Sequence, residues 1–297
     1  MRIRPRGSAL AVAVLAAGAW HTGRAQTLHY EGGVSVSSGN YIFTERTTSW
    51  TFTNGLALGA GPFTFRATLP LYSQNTTLIA GTGSGPVPTG GSSSGIVADS
   101  VAARGGKRQG GMGQDVAAPA TLFAAGPVAV PSTAVTGYEF AAGDPLVSMS
   151  IALTEASPVS LTLGAGVKLP LTDTTSFGTG EWDYGGSASL SYRLGYSSSL
   201  GANIGYWHLG DLPNLALNDP LMGSVSFAYL APSGWGGLLS VSGSTSAIPE
   251  FAAPAYAGAT ITRVTGRGTL GLHASVGLTE SAPDFTLGVS WRVGLVR

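Results

Sequence analysis

Two short spacings in this sequence combine residue types that could do chemistry. His273 and Ser275 are two residues apart, and in a β-strand such residues share a face, so an imidazole could take the proton of a serine nucleophile. His208 and Asp211 are three apart and carry atoms that bind metal ions, but two ligands do not fill a metal site. Neither pair is sufficient alone, and we predict no catalytic residue, no metal site and no cofactor.

Charged residues at alternating positions form a second candidate group. If the polar face of each strand lines an enclosed space, seven ionisable side chains point into it: Glu31, Arg66, Lys168, Arg193, Arg267, His273 and Arg292. Five of the six charged ones are cationic, and rings of like charge select ions in pores, so this lining predicts a preference for anionic or polar-aromatic solutes. The alternative is a structural network with loop acids such as Asp173, Glu181 and Asp183.

These residues must be positioned by β-strands, which the segment 161–195 shows most clearly. Leu163, Ala165 and Val167 alternate with small polar residues before a Gly-rich loop, which is the period-two pattern of a strand with unlike surroundings on its two faces. The same pattern predicts about twelve strands: 28–38, 46–58, 62–74, 143–154, 159–170, 183–194, 197–208, 220–230, 236–246, 256–265, 267–279 and 284–294.

The composition distinguishes a membrane barrel from a soluble β-sandwich. Only 10% of the residues are charged, against about 25% in soluble domains. The polar faces carry Ser, Thr and Gly rather than Lys and Glu, which suits a lumen and not bulk water. We therefore predict an all-β protein, a closed antiparallel transmembrane β-barrel with short periplasmic turns and longer external loops.

The N-terminus has the pattern of a signal peptide. Three arginines precede an apolar run of 11 residues, 9–19, and small residues follow it, so residues 1–25 are predicted to be removed near Ala25. The remaining domain, 26–297, has 11 basic and 15 acidic residues, a net charge of about −4, which does not favour a nucleic-acid partner. The sequence has no cysteine and hence no disulfide.

Residues 75–142 interrupt the strand pattern. They include a stretch rich in Gly, Ser, Thr and Pro and a basic, Gly-rich stretch at 104–114. Neither can bury much apolar surface, so this region is an external loop or an insertion in one. It either folds back into the lumen as a constriction or stays at the surface as a disordered loop.

Several loop and strand-end motifs resemble one known family. They are Gly166-Val167-Lys168-Leu169-Pro170, then Phe177-Gly178-Thr179-Gly180 with Asp183, together with Gly143-Asp144 and the segment 277–284. This pattern, over about residues 143–294, is similar to the outer-membrane barrel transporter family named after the meta-cleavage pathway of phenol degradation. The resemblance implies a barrel and a role in the passage of small compounds, including aromatic ones.

The expected function is therefore passive passage of small solutes through the Gram-negative outer membrane, without catalysis. The expected partners are the solute, membrane lipid and lipopolysaccharide, and the barrel assembly machinery. Two alternatives remain open. The His273 and Ser275 spacing looks like that of outer-membrane lipid A deacylases, which would require the pair to face lipid, and a structural barrel with a closed lumen would show no conductance.

Overall fold

The computed structural model describes residues 26–91, 97–101, 137–154, 158–172 and 177–296. The predicted signal peptide and its cleavage site lie outside these residues. Within them, no helix has the length and apolar character needed to cross a membrane.

Fifteen strands occur in the described part of the chain. They are β1 (Gln26–Gly39), β2 (Thr47–Ala60), β3 (Phe63–Gln74), β4 (Ala80–Thr82), β5 (Gly85–Val87), β6 (Glu139–Ala142), β7 (Leu146–Thr154), β8 (Val159–Lys168), β9 (Asp183–Arg193), β10 (Ser198–His208), β11 (Leu221–Leu230), β12 (Trp235–Ser244), β13 (Ala255–Thr265), β14 (Gly268–Gly277) and β15 (Phe285–Val296). The twelve predicted strands correspond to all of these except β4, β5 and β6.

Twelve of the strands close into an antiparallel barrel. Each neighbours the next along the chain from β7 to β15, β3 joins β2 to β7, and β1 pairs with both β2 and β15. The β1 to β15 ladder is continuous from Ser38 opposite Phe285 to His29 opposite Gly294. Closure leaves no free edge along the barrel wall and satisfies the strand backbone internally, as a lipid environment requires, so the predicted fold class is confirmed.

The two faces of the sheet differ as the alternation predicts. Leu239, Val225 and Ile261 project outward, and each is more than half exposed. Between them, inward positions carry small polar residues; Ser224 of β11, for example, lies opposite Asn203 of β10 and Ser242 of β12. The outer surface is therefore apolar and the lumen is lined largely by hydroxyl groups, the arrangement of a membrane barrel.

Connections at the two ends of the barrel differ in length. At one end, consecutive strands are separated by the short segments 61–62, 155–158, 194–197, 231–234 and 266–267. At the other end the connections are 40–46, 75–145, 169–182, 209–220, 245–254 and 278–284. By the usual asymmetry of outer-membrane barrels, the short turns mark the periplasmic end and the long loops the external end.

The buried apolar core lies at the external end and not inside the barrel. It is formed by residues of the external connections that pack on one another, and we call it the cap: Tyr41, Ile42, Phe43, Leu78, Ile79, Val87, Val97, Leu209, Leu212, Leu215, Leu217, Ala247, Ile248 and Phe251. Phe43, Val97 and Leu209 are at most 1% exposed. Burial raises the pKa of Tyr41 in this cap to about 12. The external loops therefore cover the mouth of the barrel with a small hydrophobic core of their own.

Candidate functional site in the barrel lumen

The hairpin β4–β5 enters the lumen from the external end. Its Gly81 lies against the ring of Tyr72 on β3, and its Gly83 lies against the indole of Trp207 on β10. Both approaches leave no room for a Cβ atom, which explains glycine at these positions. Of the two predictions for residues 75–142, the fold-back into the lumen holds for this described part; residues 92–96 and 102–136 lie outside the described residues.

The hairpin separates two cavities within the lumen. One, of about 340 Å³, lies toward β1, β2 and β15 and is lined by hydroxyl-bearing residues that include Ser35, Thr51 and Thr286. The other, of about 190 Å³, lies toward β10, β11 and β12. Both are bounded by Ser84 and Pro86 of the hairpin and by Tyr256 on β13, which stands across the barrel from β7. The hairpin is thus a constriction in the lumen, and its residues Ser84 and Pro86 lie on the side that faces Tyr256 of β13.

A buried ion cluster lies beneath the tip of the hairpin. Lys168 Nζ is 3.0 Å from Asp144 Oδ2 and 3.3 Å from Asp183 Oδ2, and it also donates to Thr179 Oγ1. Lys168 is 2% exposed and Asp183 1%. Contrary to the prediction, Lys168 does not line the open lumen, because the two carboxylates enclose its ammonium group. For this residue the alternative, a structural network with loop acids, is correct.

Backbone N–H groups and one side-chain hydroxyl complete the hydrogen bonding of the two carboxylates. Asp144 Oδ1 accepts from Leu171 N at 3.0 Å, Thr172 N at 2.9 Å and Thr172 Oγ1 at 2.7 Å. Asp183 Oδ1 accepts from Gly210 N at 3.0 Å, and Asp183 Oδ2 accepts from Gly83 N of the hairpin at 2.7 Å. The cluster therefore connects the hairpin, the loops 169–182 and 209–220, and the barrel wall.

This cluster gives the sequence motifs a physical basis. Lys168, Thr179, Asp183 and Asp144 come from three separate motif fragments, and the structure brings the other three side chains into contact with Lys168. Gly178 faces the Asp144 carboxylate so closely that a Cβ would lie 2.8 Å from Oδ2. The small residues of the motif leave room for a buried Lys–Asp cluster, in which Asp183 was among the loop acids named from the sequence and Asp144 was not.

A second charged cluster lies in the periplasmic half of the lumen. Glu31 Oε2 is 2.6 Å from Arg66 Nε, and Glu31 Oε1 pairs with Arg292 Nη2. The Glu31 side chain is 17% exposed, whereas those of Arg66 and Arg292 are 40% and 48% exposed. One carboxylate shared by two guanidinium groups leaves a net positive charge, presented by the two arginines to the lumen.

Two other candidates lie at the rim and not along the lumen. Arg193 ends β9 and Arg267 lies in the turn 266–267, and both are exposed at the periplasmic end. Their predicted place on the lumen wall is corrected to the periplasmic mouth, since the strands end before the side chains can be enclosed.

His273 and Ser275 both project inward. Ser275 lines the larger cavity, and the imidazole of His273 lies over Gly288, beside Ser35 of β1. The pair therefore does not face membrane lipid, as a lipid A deacylase would require.

His208 and Asp211 do not form a site together. His208 Nδ1 is 3.0 Å from Asp219 Oδ1, while Asp211 Oδ1 accepts from Leu217 N at 2.9 Å. Hydrogen bonds from Tyr206 and His208 hold the pKa of Asp219 below its usual range. In the part of the chain that the structure describes, no group of three His, Asp or Glu residues could hold a metal ion.

Two aromatic residues at strand ends lie inside the barrel and not at its lipid-facing surface. Tyr72 contacts Phe177 edge-on, with ring centroids 6.0 Å apart, and Trp207 packs against the cap. By contrast, Trp50 and Trp235 project outward, and the guanidinium of Arg263 lies over the Trp235 ring, 5.2 Å from its centroid. Trp207 lies directly opposite Gly185 on the neighbouring strand β9, and the missing side chain there leaves room for the indole inside the barrel.

A closed antiparallel barrel of twelve strands with an apolar outer face and a polar lumen is the fold of an outer-membrane β-barrel protein. Among solved structures, the chain is similar to the COG4313 outer membrane channel from Pseudomonas putida F1, with 12% identity and a TM-score of 0.60 over 99% of this chain and 100% of that one. Weaker similarities include a KdgM porin, with 6% identity and a TM-score of 0.46 over 89% and 98% of the chains. The CymD monoaromatic hydrocarbon channel gives 8% identity and a TM-score of 0.43 over 94% and 91%.

No protein-family model and no curated protein matches this sequence. The similarity to the Pseudomonas putida channel, at 12% identity, shows a common fold.

Proposed function

We propose that this protein is a passive outer-membrane channel for small solutes, with a preference for anionic or polar-aromatic ones. The observation that carries the proposal is the net positive Glu31, Arg66 and Arg292 cluster inside a closed, hydroxyl-lined barrel. Charge in a confined, partly desolvated passage acts over short distances on any ion that must pass it, so the guanidinium groups favour anions. The apolar outer face fits membrane lipid and lipopolysaccharide as surroundings, with insertion by the barrel assembly machinery.

Planar-bilayer recording in a salt gradient tests this proposal. We expect the refolded chain to conduct with a reversal potential that indicates anion preference. The triple variant E31Q/R66Q/R292Q should lose that preference, and it removes the carboxylate together with the arginines so that no unpaired charge stays in the wall. R263Q is the matched control, because Arg263 lies on the outer face beside Trp235. Cation selectivity in the unaltered chain would contradict the proposal.

The structural alternative has its own supporting observation. The cap and the hairpin β4–β5 narrow the external half of the lumen, and a barrel sealed there would serve only as a scaffold. This alternative predicts no current from the unaltered chain and no current from variants that enlarge the lumen.

A further inference from the structure

The hairpin β4–β5 is too short to be stable without contacts to the rest of the protein. Each of its strands has three residues, and hairpins of two short strands are not stable alone. Its base is fixed because Ile79 and Val87 belong to the cap. Its tip, residues 82–85, projects into the lumen between the two cavities.

Between its base and its tip, the hairpin donates two hydrogen bonds from backbone N–H groups to the surrounding barrel and loops. Gly81 N donates to Phe177 O at 2.7 Å, and Gly83 N donates to Asp183 Oδ2 at 2.7 Å. Only the second involves a charged acceptor, and it is the one at the tip. Hydrogen bonds to charged groups are the stronger class, so Asp183 is the dominant attachment of the tip.

The charge balance of the buried cluster explains why Asp183 requires this bond. Two carboxylates, Asp144 and Asp183, face one ammonium group, that of Lys168, so the cluster carries an excess negative charge. A buried charge without compensating donors is costly, and backbone N–H groups must supply the compensation. Gly210 N supplies one donor to Asp183 from the loop 209–220, and Gly83 N supplies the other from the hairpin.

We propose that the hairpin β4–β5 is a gate in the lumen, and that Asp183, held by Lys168 and Asp144, is the latch that keeps it across the passage. Release of Gly83 from Asp183 lets the tip, which includes Ser84, move away from Tyr256, and the two cavities join into one path. The inference rests on the proposed channel function, because a gate has meaning only where solute passes. It adds the element that controls passage, whereas the cluster at Glu31 controls charge selection.

Conductance of three variants tests the latch. D183N removes the negative charge at Gly83 and leaves the Lys168 to Asp144 pair intact, so the open-state conductance should rise about twofold or more. Replacing residues 81–86 with Gly-Gly removes the tip, and a two-residue connection can close the hairpin because Ala80 and Val87 are paired neighbours. This variant should conduct like D183N.

D211N is the matched control. Asp211 also accepts a hydrogen bond from a backbone N–H in an external loop, but it does not contact the hairpin. The conductance of D211N should therefore equal that of the unaltered chain.

Each result separates the gate from the channel. Conductance that stays unchanged on removal of the tip would overturn the gate, and removal that raises conductance while D183N does not would overturn the latch. If the unaltered chain, D183N and the variant that lacks the tip all carry no current, the proposed channel function itself is overturned.

A spectroscopic measurement covers the case in which D183N does not fold. The chain has no cysteine, so S84C provides a unique thiol at the tip for a nitroxide label with the latch intact. We expect an immobilised spectrum. A freely mobile label would overturn the latch, because the tip would then not be held by Asp183.

Discussion

At the residue scale, the protein contrasts a buried ion cluster with surface pairs. Lys168 contacts two carboxylates and is almost fully buried, whereas Arg46 pairs with Asp284 where both side chains are 52% exposed. Removing one partner of a buried pair leaves an uncompensated charge, but exposed pairs are screened by solvent and contribute little. The two sites should therefore respond very differently to loss of the cation.

K168M tests this contrast. The substitution keeps an unbranched side chain of similar length and leaves Asp144 and Asp183 buried without a cation, so we expect a loss of about 3–5 kcal/mol in the free energy of unfolding. R46M is the control and should cost less than about 1 kcal/mol. Urea unfolding of the refolded barrel, followed by tryptophan fluorescence, measures both. Equal losses in the free energy of unfolding for K168M and R46M would show that the buried Lys168 cluster stabilises the protein no more than an exposed ion pair does.

At the element scale, glycines on neighbouring strands make room for one aromatic ring inside the barrel. Trp207 on β10 covers Gly185 on β9 and Gly166 on β8 and meets Gly83 of the hairpin from the other side. A Cβ at Gly185 would lie 2.6 Å from the indole and 2.5 Å from Tyr206 O, and both distances are too short for van der Waals contact, so the atoms would clash. The strands therefore position the hairpin through the shape of their inner surface as well as through the ion cluster.

G185A should displace the indole and destabilise the barrel by about 1–3 kcal/mol, the usual cost of overpacking. The matched control is G186A, one residue along the same strand, because a Cβ at Gly186 lies no nearer than 3.5 Å to Gly164 O. Alanine there should have little effect or stabilise by up to about 1 kcal/mol, since it reduces the conformational entropy of the unfolded chain. Urea midpoints of the two variants make the comparison; similar losses in both would contradict close packing of Trp207.

At the scale of the whole molecule, the barrel and the cap depend on different forces. The barrel has a polar interior and is held by a closed ring of strand pairs, with its apolar surface turned to lipid. The cap is a small hydrophobic core in water, assembled from loops that are distant in sequence. The cap should therefore loosen without loss of the barrel.

F43A tests that separation. Phe43 is 1% exposed in the cap, and truncating a buried phenylalanine typically costs about 3–5 kcal/mol of local stability. We expect faster proteolysis of the external loops in intact vesicles, with the heat-modifiable gel migration of the folded barrel unchanged. L239A, on the lipid-facing surface of β12, is the control and should leave loop proteolysis as it is in the unaltered chain. Loss of heat-modifiable migration in F43A would show that the cap and the barrel are one cooperative unit.

The sequence by itself determined the barrel. Strand alternation is a local property, so strand positions, the apolar outer face and the two classes of connection could be derived from residues such as Leu163, Ala165 and Val167, and they agree with the structure. The parity of Glu31, Arg66 and Arg292 also followed from this period, which is why their inward direction could be predicted.

Only the tertiary structure decided what each inward residue does. Whether Lys168 faces water or two carboxylates depends on Asp144 and Asp183, which approach it across strand and loop contacts that alternation does not encode. The hairpin β4–β5 was missed because three-residue strands in a Gly-rich segment carry no periodic signal, and its place in the lumen depends on Trp207, Tyr72 and Asp183 on three different strands. Local pattern fixes which face a side chain takes, whereas long-range packing fixes its partner.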